Sequence, residues 1–523
     1  MTKTLSKRVF YIPASRTVWG DFALEMAAHG LVPTIWLGDW RNHRFGTENF
    51  PDCAVLGLKE VQATLPTFPV VNVPDATFLL SREFLQLKAQ SMKLMDRQDE
   101  TRSYGRLERD AYFYAIVTRL YSLIVDKRID VLVASEAPHH VAQLIAYRLC
   151  EMLGIPTYHL VNNTYVPLVQ VHRHIIGSPI AVLQKSDLSS HVSHLTTALD
   201  AYRTGIPVPL YMANQAKRDR AWMFLPWAAK YWRAAGSQRL RLVTGASEPL
   251  RDDVQIRSRF PFRSNTRRFG APVIIERLRR ALEREYPRHT VPVDLNSDET
   301  PRFVYFPMPF EPERTSLPDG GDFFEAMDAL LALREYVPDD VHIFVKEHPT
   351  QFSRTLPGYK ARSPLLYSVM SRLPNTRLID IAVPSSELVQ RAEFTAVITG
   401  TAALESALIG KPGVVFGTPW FAELPGIHRF DKLPKFPALL ALPHQSVDDI
   451  IRAATVTVEH HSIPGVISVE QMTYFEQKFG DAMAGLVDDK AMVRKLANVI
   501  ATDFAERIGM RPVRGNVQPR GTT

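Results

Sequence analysis

The chain has 523 residues, enough for two or three domains, and its 46% hydrophobic and 22% charged residues are those of an ordinary globular protein. Two cysteines, Cys53 and Cys150, exclude a disulfide framework and point to a reducing compartment. There is no CxxC or HExxH motif, no convincing metal-ligand spacing, and no apolar run near the roughly 20 residues that span a bilayer.

The first 13 residues carry two lysines and an arginine before the short apolar run Val9-Phe10-Tyr11-Ile12, which reads as a first strand and not as a signal peptide. Residues 18–29 read as a helix with Phe22 and Met26 on its apolar face, closed by Gly30, and 32–37 as a second strand. Strand, helix, strand at this length begins a parallel α/β sheet. The first loop, Pro13-Ala14-Ser15-Arg16-Thr17, lacks G-x-G-x-x-G and argues against a dinucleotide site. Residues 40–106 show little pattern beyond a helix near 84–95. In 107–128, Phe113, Ile116, Val117, Leu120 and Ile124 recur at helical spacing. A strand at 129–133 runs into Ala134-Ser135-Glu136-Ala137-Pro138-His139-His140, followed by a helix over 141–153. A further strand at 157–161 ends in Asn162-Asn163-Thr164. Glu136 and His139 are the first half's candidates for proton transfer, with helix capping as the competing explanation of Glu136.

The character changes after residue 185. Residues 217–290 hold 18 Lys+Arg against 7 Asp+Glu, a net of +11 in a chain whose total is +7. Trp222, Trp227 and Trp232 lie in the same stretch. Basic and aromatic residues together point to an anionic membrane surface; a packed helical insert with solvated arginines is the alternative. No nucleic-acid motif accompanies the charge, so no nucleic-acid partner is expected.

A second α/β domain begins near residue 301, with a strand at 303–306, a proline-rich loop carrying Glu311, Glu313 and Arg314, and a helix over 322–336. The strand at 341–345 ends in Lys346-Glu347-His348-Pro349. Some fifty residues later Ala396-Val397-Ile398 runs into Thr399-Gly400-Thr401, a helix over 402–409, Gly410, Pro412, and the strand Val414-Val415-Phe416-Gly417. This βαβ unit is suited to anions. A helix N-terminus offers unpaired N–H groups, Gly400 admits close approach, the threonines add hydroxyls, and Lys346 and His348 end a neighbouring strand. Helix capping by threonine and a plain His-Pro turn are the non-functional explanations. Residues 446–507 read as helices with a loop around 462–466, and the tail from 511 has no apolar pattern and is expected to be disordered.

Lys-x-His-Pro, followed by Thr-Gly-Thr-Ala-x-x-Glu-x-x-x-x-Gly-Lys-Pro, resembles the donor-binding half of a GT-B glycosyltransferase. It is most similar to the capsular polysaccharide biosynthesis family, which includes Kdo transferases; residues 305–319 resemble that family's entry strand and loop. The resemblance covers about 300–420, is thinner over 5–180 and is absent over 185–295. It implies an α/β fold of two Rossmann-like domains facing a cleft (GT-B-like), with a basic helical insert and C-terminal helices that cross back onto the first domain. The expected boundaries are 1–185, 186–300, 301–440, 441–510 and a tail at 511–523. The expected donor-binding residues are Lys346, His348, Pro349, Thr399, Gly400, Thr401 and Glu405, and the catalytic candidates, chosen by residue type and position, are Glu136, His139 and Glu311. No metal and no cofactor is expected, because the nucleotide-sugar donor is itself the substrate. The acceptor would be a polysaccharide or glycolipid, met in the cytoplasm or at the inner membrane face through 217–290. Related motifs in sialyltransferases and teichoic-acid polymerases hold a cytidine nucleotide; this chain has Thr-Gly-Thr where those have two adjacent serines. A glycerophosphate polymerase, a nucleotide-sugar epimerase and a non-catalytic glycan-assembly protein are the alternatives.

Overall fold

A computed structural model describes residues 6–38, 40–58, 61, 70–99, 102, 105–182, 187–205, 225, 228, 229, 232, 265–313 and 316–509. Most of the basic stretch, with Trp222 and Trp227, and the tail from 511 lie outside the described residues.

The first sheet is built from β1 (Lys7–Ile12), β2 (Leu31–Gly38), β3 (Ala54–Gly57), β4 (Val131–Ala134), β5 (Thr157–Asn162) and β6 (Leu168–His172). The second is built from β7 (Thr290–Val291), β8 (Phe303–Pro307), β9 (His342–Lys346), β10 (Thr376–Ile379), β11 (Thr395–Val397), β12 (Gly413–Val415) and β13 (Ile427–Arg429). One late strand, β14 (Ser462–Pro464), returns to the first sheet. The spatial orders are β14-β6-β5-β4-β1-β2-β3 and β13-β12-β11-β8-β9-β10-β7. The second sheet is parallel throughout. The first is parallel from β3 to β5 and closes with the antiparallel pairs β5–β6 and β6–β14. The fold is thus α/β, with two Rossmann-like sheets.

The strands read as continuous apolar runs because helices cover both faces, and alternation sorts them. Phe10, Ile12, Ile35, Leu132 and Ala134 face one way, onto the helices Arg82–Gln98, Arg106–Asp126 and Val141–Met152. Val9, Tyr11, Trp36, Val131 and Val133 face the other way, onto Val18–Ala28 and the last helix, Asp489–Gly509. That last helix therefore completes the first domain's core, as the resemblance implies. In the second sheet Val304, Phe306, Ile343, Val345, Ala396 and Val414 share one core with the helices Asn265–His289 and Ala326–Tyr336.

Several expectations are corrected. The helix Asn265–His289 buries Ile275, Leu282 and Tyr286 in the second domain's core, and β7 pairs with β10. The packing unit of the second sheet therefore begins inside the stretch read as an insert ending at 300. The helix expected over 322–336 starts at Ala326, after a 3-10 turn at Gly321–Phe323. Residues 462–464, read as loop, form β14, because β6 supplies an unpaired edge some 290 positions earlier in the chain.

Candidate functional site

Each sheet winds outward in two directions from a central strand: β1 lies between β2 and β4, and β8 between β9 and β11. In open parallel sheets the ligand crevice lies at the carboxyl ends of the strands at this point of reversal. Ser135 and Glu136 follow β4 there, and residues 398–401 follow β11. The sequence motifs therefore sit at the topological switch points of both domains.

The strip 316–321 runs between the two points. Leu317 is buried in the first domain's core together with Ala134 and Val141. Arg97 donates from its two terminal nitrogens to the carbonyls of His139 and Leu317, each at 2.9 Å. On the other side a Cβ added to Gly320 would lie 2.8 Å from Ile398 Cγ2, and one added to Gly417 would lie 2.4 Å from the Asp319 carbonyl and 2.6 Å from Thr399 Cγ2. These glycines are required by close backbone approach. Cavities of about 180 and 390 Å³ open elsewhere on the surface, and none of the residues selected from the sequence lines either.

His348 follows β9. Its Nδ1 accepts from the Thr350 backbone N–H at 3.2 Å and lies 2.8 Å from the Thr350 hydroxyl. Burial, then the neighbouring Arg362 and Lys346 charges, push its imidazole down to about 4. At neutral pH the ring is uncharged, and because Nδ1 is an acceptor its proton is on Nε2. Pro349 is exposed and opens the 3-10 turn Pro349–Phe352.

Lys346 is placed differently from the expectation. It is buried, and its ammonium donates to the Val383 carbonyl and, at 3.0 Å, to the Ser385 hydroxyl. Burial pushes it down to about 8, against the nearby Asp380. Here it ties β9 to the start of the helix Ser385–Arg391, not to the Thr399-Gly400-Thr401 loop.

Thr401 has helical backbone angles and its side chain makes no cap bond; its hydroxyl donates to Glu405 Oε1 at 3.0 Å. The capping explanation of this threonine is thereby removed. Burial raises the Glu405 carboxyl, against the lowering effect of that hydrogen bond. The helix it begins is Ala402–Leu408, one residue shorter than expected. Thr399 is half-buried and Gly400 exposed.

On the first domain Glu136 is half-buried at the end of β4, with its Oε1 3.8 Å from His139 Nδ1. Capping does not account for Glu136: the N-cap of Val141–Met152 is His140, whose N–H meets Gln143 Oε1 at 3.3 Å. Arg97 fixes the His139 end of this loop against the second domain.

Glu311 does not fit a proton-transfer role. It is 1% exposed and pairs with Lys93 at 2.6 Å and with Arg362. Burial alone would raise its carboxyl, but the Arg362 and Lys93 charges outweigh burial and lower it. Sequence reading missed the network this belongs to. Arg362 also pairs with Glu347 at 2.9 Å, and Glu347 accepts from the Tyr367 hydroxyl and from the His348 N–H, each at 2.9 Å. Glu347 stood inside the Lys-x-His-Pro motif, and a charge directly after an apolar strand was the available clue.

Among the described residues no group of three His, Cys, Asp or Glu is placed to hold a metal ion, and no helix is long and apolar enough to cross a membrane. No curated protein sequence matches the chain. Among solved structures it is similar to a β-Kdo 2,7-transferase, KpsC of Thermosulfurimonas dismutans (14% identity, 64% of this chain and 79% of that one, TM-score 0.25). It is also similar to the β-Kdo 2,4-transferase KpsC of the same organism (13%, 65% and 86%, TM-score 0.24). A third is a UDP-GlcNAc 2-epimerase of Neisseria meningitidis bound to UDP-GlcNAc (13%, 95% and 100%, TM-score 0.20). The family described as capsule polysaccharide biosynthesis protein matches residues 296–454. That span runs from β8 through β13 and includes His348 and the Thr399-Gly400-Thr401 loop, so the second domain carries the signature of the capsule polysaccharide biosynthesis family, as its motifs led one to expect.

Proposed function

We propose that the chain is a glycosyltransferase of the GT-B type that moves a sugar, Kdo or a related acidic one, from a nucleotide-sugar donor to a bacterial surface polysaccharide or lipid-linked acceptor. The observation that carries this reading is the position of His348 at the carboxyl end of β9, beside the second domain's switch point, with Nδ1 held by Thr350. A donor phosphate at these strand ends meets the His348 Nε2–H, the Thr399 hydroxyl, and the backbone N–H groups around Gly400 and Thr401. Such donors stabilise negative charge as it grows on a leaving phosphate. Donor transfer then needs no metal, and CMP is the nucleotide the motif resemblance favours. The acceptor lies on the first domain. Glu136 takes the proton of its hydroxyl as the new carbon–oxygen bond forms and the bond from sugar to phosphate breaks, and the nucleotide leaves with that electron pair. His139 is the next candidate for this role. Residues 217–290 hold the enzyme at the anionic inner face of the membrane, where a lipid-linked acceptor is found.

The test is release of nucleotide from CMP- and UDP-sugars by the wild type and by Glu136→Gln. The expected outcome is turnover of one donor class, lowered about 10²–10⁴-fold in the variant with nucleotide affinity unchanged. No release from either class by the folded wild type refutes the transferase reading. Interconversion of UDP-sugar epimers without transfer replaces it with an epimerase. Normal turnover by Glu136→Gln moves the base elsewhere.

A further inference from the structure

Four charged side chains form a continuous buried chain between the domains. Lys93 (8% exposed), on the first domain's helix Arg82–Gln98, pairs with Glu311 (1%); Glu311 pairs with Arg362 (2%); and Arg362 pairs with Glu347 (1%). Two positive and two negative charges balance, which is the condition for burying them together. The Lys93 ammonium also donates to the Phe324 carbonyl and, at 3.0 Å, to Glu325.

Two routes lead from Glu311 to His348. Through side chains, Glu311 holds Arg362, Arg362 holds Glu347, and Glu347 Oε1 accepts the His348 N–H. Through the main chain, the fully buried Gln351 side chain accepts from the Glu311 N–H at 3.0 Å and donates to the Glu311 carbonyl at 2.8 Å, while the Gln351 N–H donates to the His348 carbonyl at 2.9 Å. The turn bearing His348 is thus clamped at its N–H and its carbonyl by groups that converge on Glu311, and the first domain's hold on Glu311 is Lys93.

We propose that Lys93 is a positioning residue for the His348 turn: docking of the first domain, completed by the Lys93–Glu311 pair, sets the conformation of residues 347–351 in the second domain. Loss of the ammonium leaves Glu311 and Glu347 sharing one buried guanidinium. That excess negative charge is relieved by opening of the seam, which frees Gln351 and the turn with it. The bearing of this coupling on donor binding rests on the function proposed above; the coupling itself does not.

The experiment is hydrogen–deuterium exchange by mass spectrometry on the full chain, comparing wild type with Lys93→Met, Lys93→Arg and Lys88→Met. Lys88 lies on the same helix and pairs at 3.0 Å with Asp110, within the first domain, so its loss controls for general weakening of that domain. The expected result is exchange of residues 347–351 faster by on the order of tenfold in Lys93→Met, wild-type exchange there in Lys88→Met, and recovery in Lys93→Arg. Faster exchange confined to 310–325 in Lys93→Met, with 347–351 unchanged, overturns the proposal. So does equal loss in Lys93→Met and Lys88→Met. Calorimetry with CMP and UDP keeps the two claims apart: altered exchange at 347–351 upholds the coupling whatever the nucleotide affinity, and unchanged affinity in His348→Ala removes His348 from the donor site.

Discussion

Replacement of His348 by alanine removes one Nε2–H donor and one Nδ1 acceptor. The donor is the part that matters for binding. A hydrogen bond to a charged group contributes about 1.5–3 kcal/mol, so nucleotide affinity should fall about 10–150-fold. The acceptor is the part that matters for stability. Nδ1 serves Thr350 twice, at 3.2 Å to its N–H and 2.8 Å to its hydroxyl, and each lost bond costs about 0.5–1.5 kcal/mol net. His348→Gln keeps a side-chain N–H near the same reach and should recover part of the affinity. The pH dependence gives an independent check. The ring sits at about 4 in the folded chain and near 6.5 when unfolded, so the unfolded state binds more protons between those values. The associated stability is complete above pH 6.5 and is lost as pH falls toward 4, by up to about 3 kcal/mol. Across pH 5.5–8 the folded ring stays neutral, so this group adds no pH dependence to CMP or UDP affinity. Calorimetry over that range reads both points. Unchanged affinity in His348→Ala refutes the donor contact, and an affinity that changes with a midpoint near 6.5 in the wild type but not in the variant refutes the neutral ring.

A second acid-sensitive group lies in the first domain. His172, at the end of β6 beside His159, is pushed down to about 4 chiefly by burial, against its hydrogen bond to the Gly177 carbonyl; the same sign applies, so going from pH 7.5 to 5 should cost about 2 kcal/mol through this residue. Urea unfolding at the two pH values should show that slope reduced in His172→Gln, and an equal slope in both proteins refutes the assignment. Residues 217–290 should bind anionic vesicles in a salt-dependent manner, at about 1 kcal/mol per basic residue near the surface, with a salt-resistant part from the tryptophans. Co-sedimentation of the wild type and of a variant with Trp222, Trp227 and Trp232 changed to Ala and four arginines changed to Gln tests this: equal, negligible binding to anionic and neutral vesicles leaves a packed insert, and binding that survives the substitutions places the contact elsewhere.

What could be read from the sequence follows from how far each signal travels along the chain. β1, β4, β8 and β9 are buried on both faces, and their apolar runs were visible at once; so were the helices with a repeating apolar face, such as Arg106–Asp126. β3, β6, β7, β10, β13 and β14 were not seen. They are two to five residues long, too short for a period, and β7 and β14 form on edges offered by β10 and β6, far away in the chain. The same distinction separates the candidate site residues. His348 and the Thr399-Gly400-Thr401 loop announce themselves by local composition at a strand end. Lys93 carries no local mark: its role depends on Glu311, 218 positions away, and a lysine on a helix reads as a solvated charge until its partner is known.

Residue type alone marked Lys346 and Glu311 for chemistry, and their surroundings in the fold commit each of them to structural partners. Both were read as chemistry because a charge next to a strand end is normally free to meet a ligand. In the folded chain each is buried and committed, Lys346 to the Val383 carbonyl and Ser385, Glu311 to Lys93 and Arg362. A buried charge that left its partner for a ligand would strand that partner without compensation, which is costly. Uncharged His348 does not carry that cost. Burial and the neighbouring Arg362 and Lys346 charges hold its ring neutral, and the Thr350 N–H donating to Nδ1 leaves the ring proton on Nε2. The strand-end motif therefore divides its labour: Lys346 and Glu347 are buried and committed within the fold, and His348 is the member on which the proposed donor contact rests.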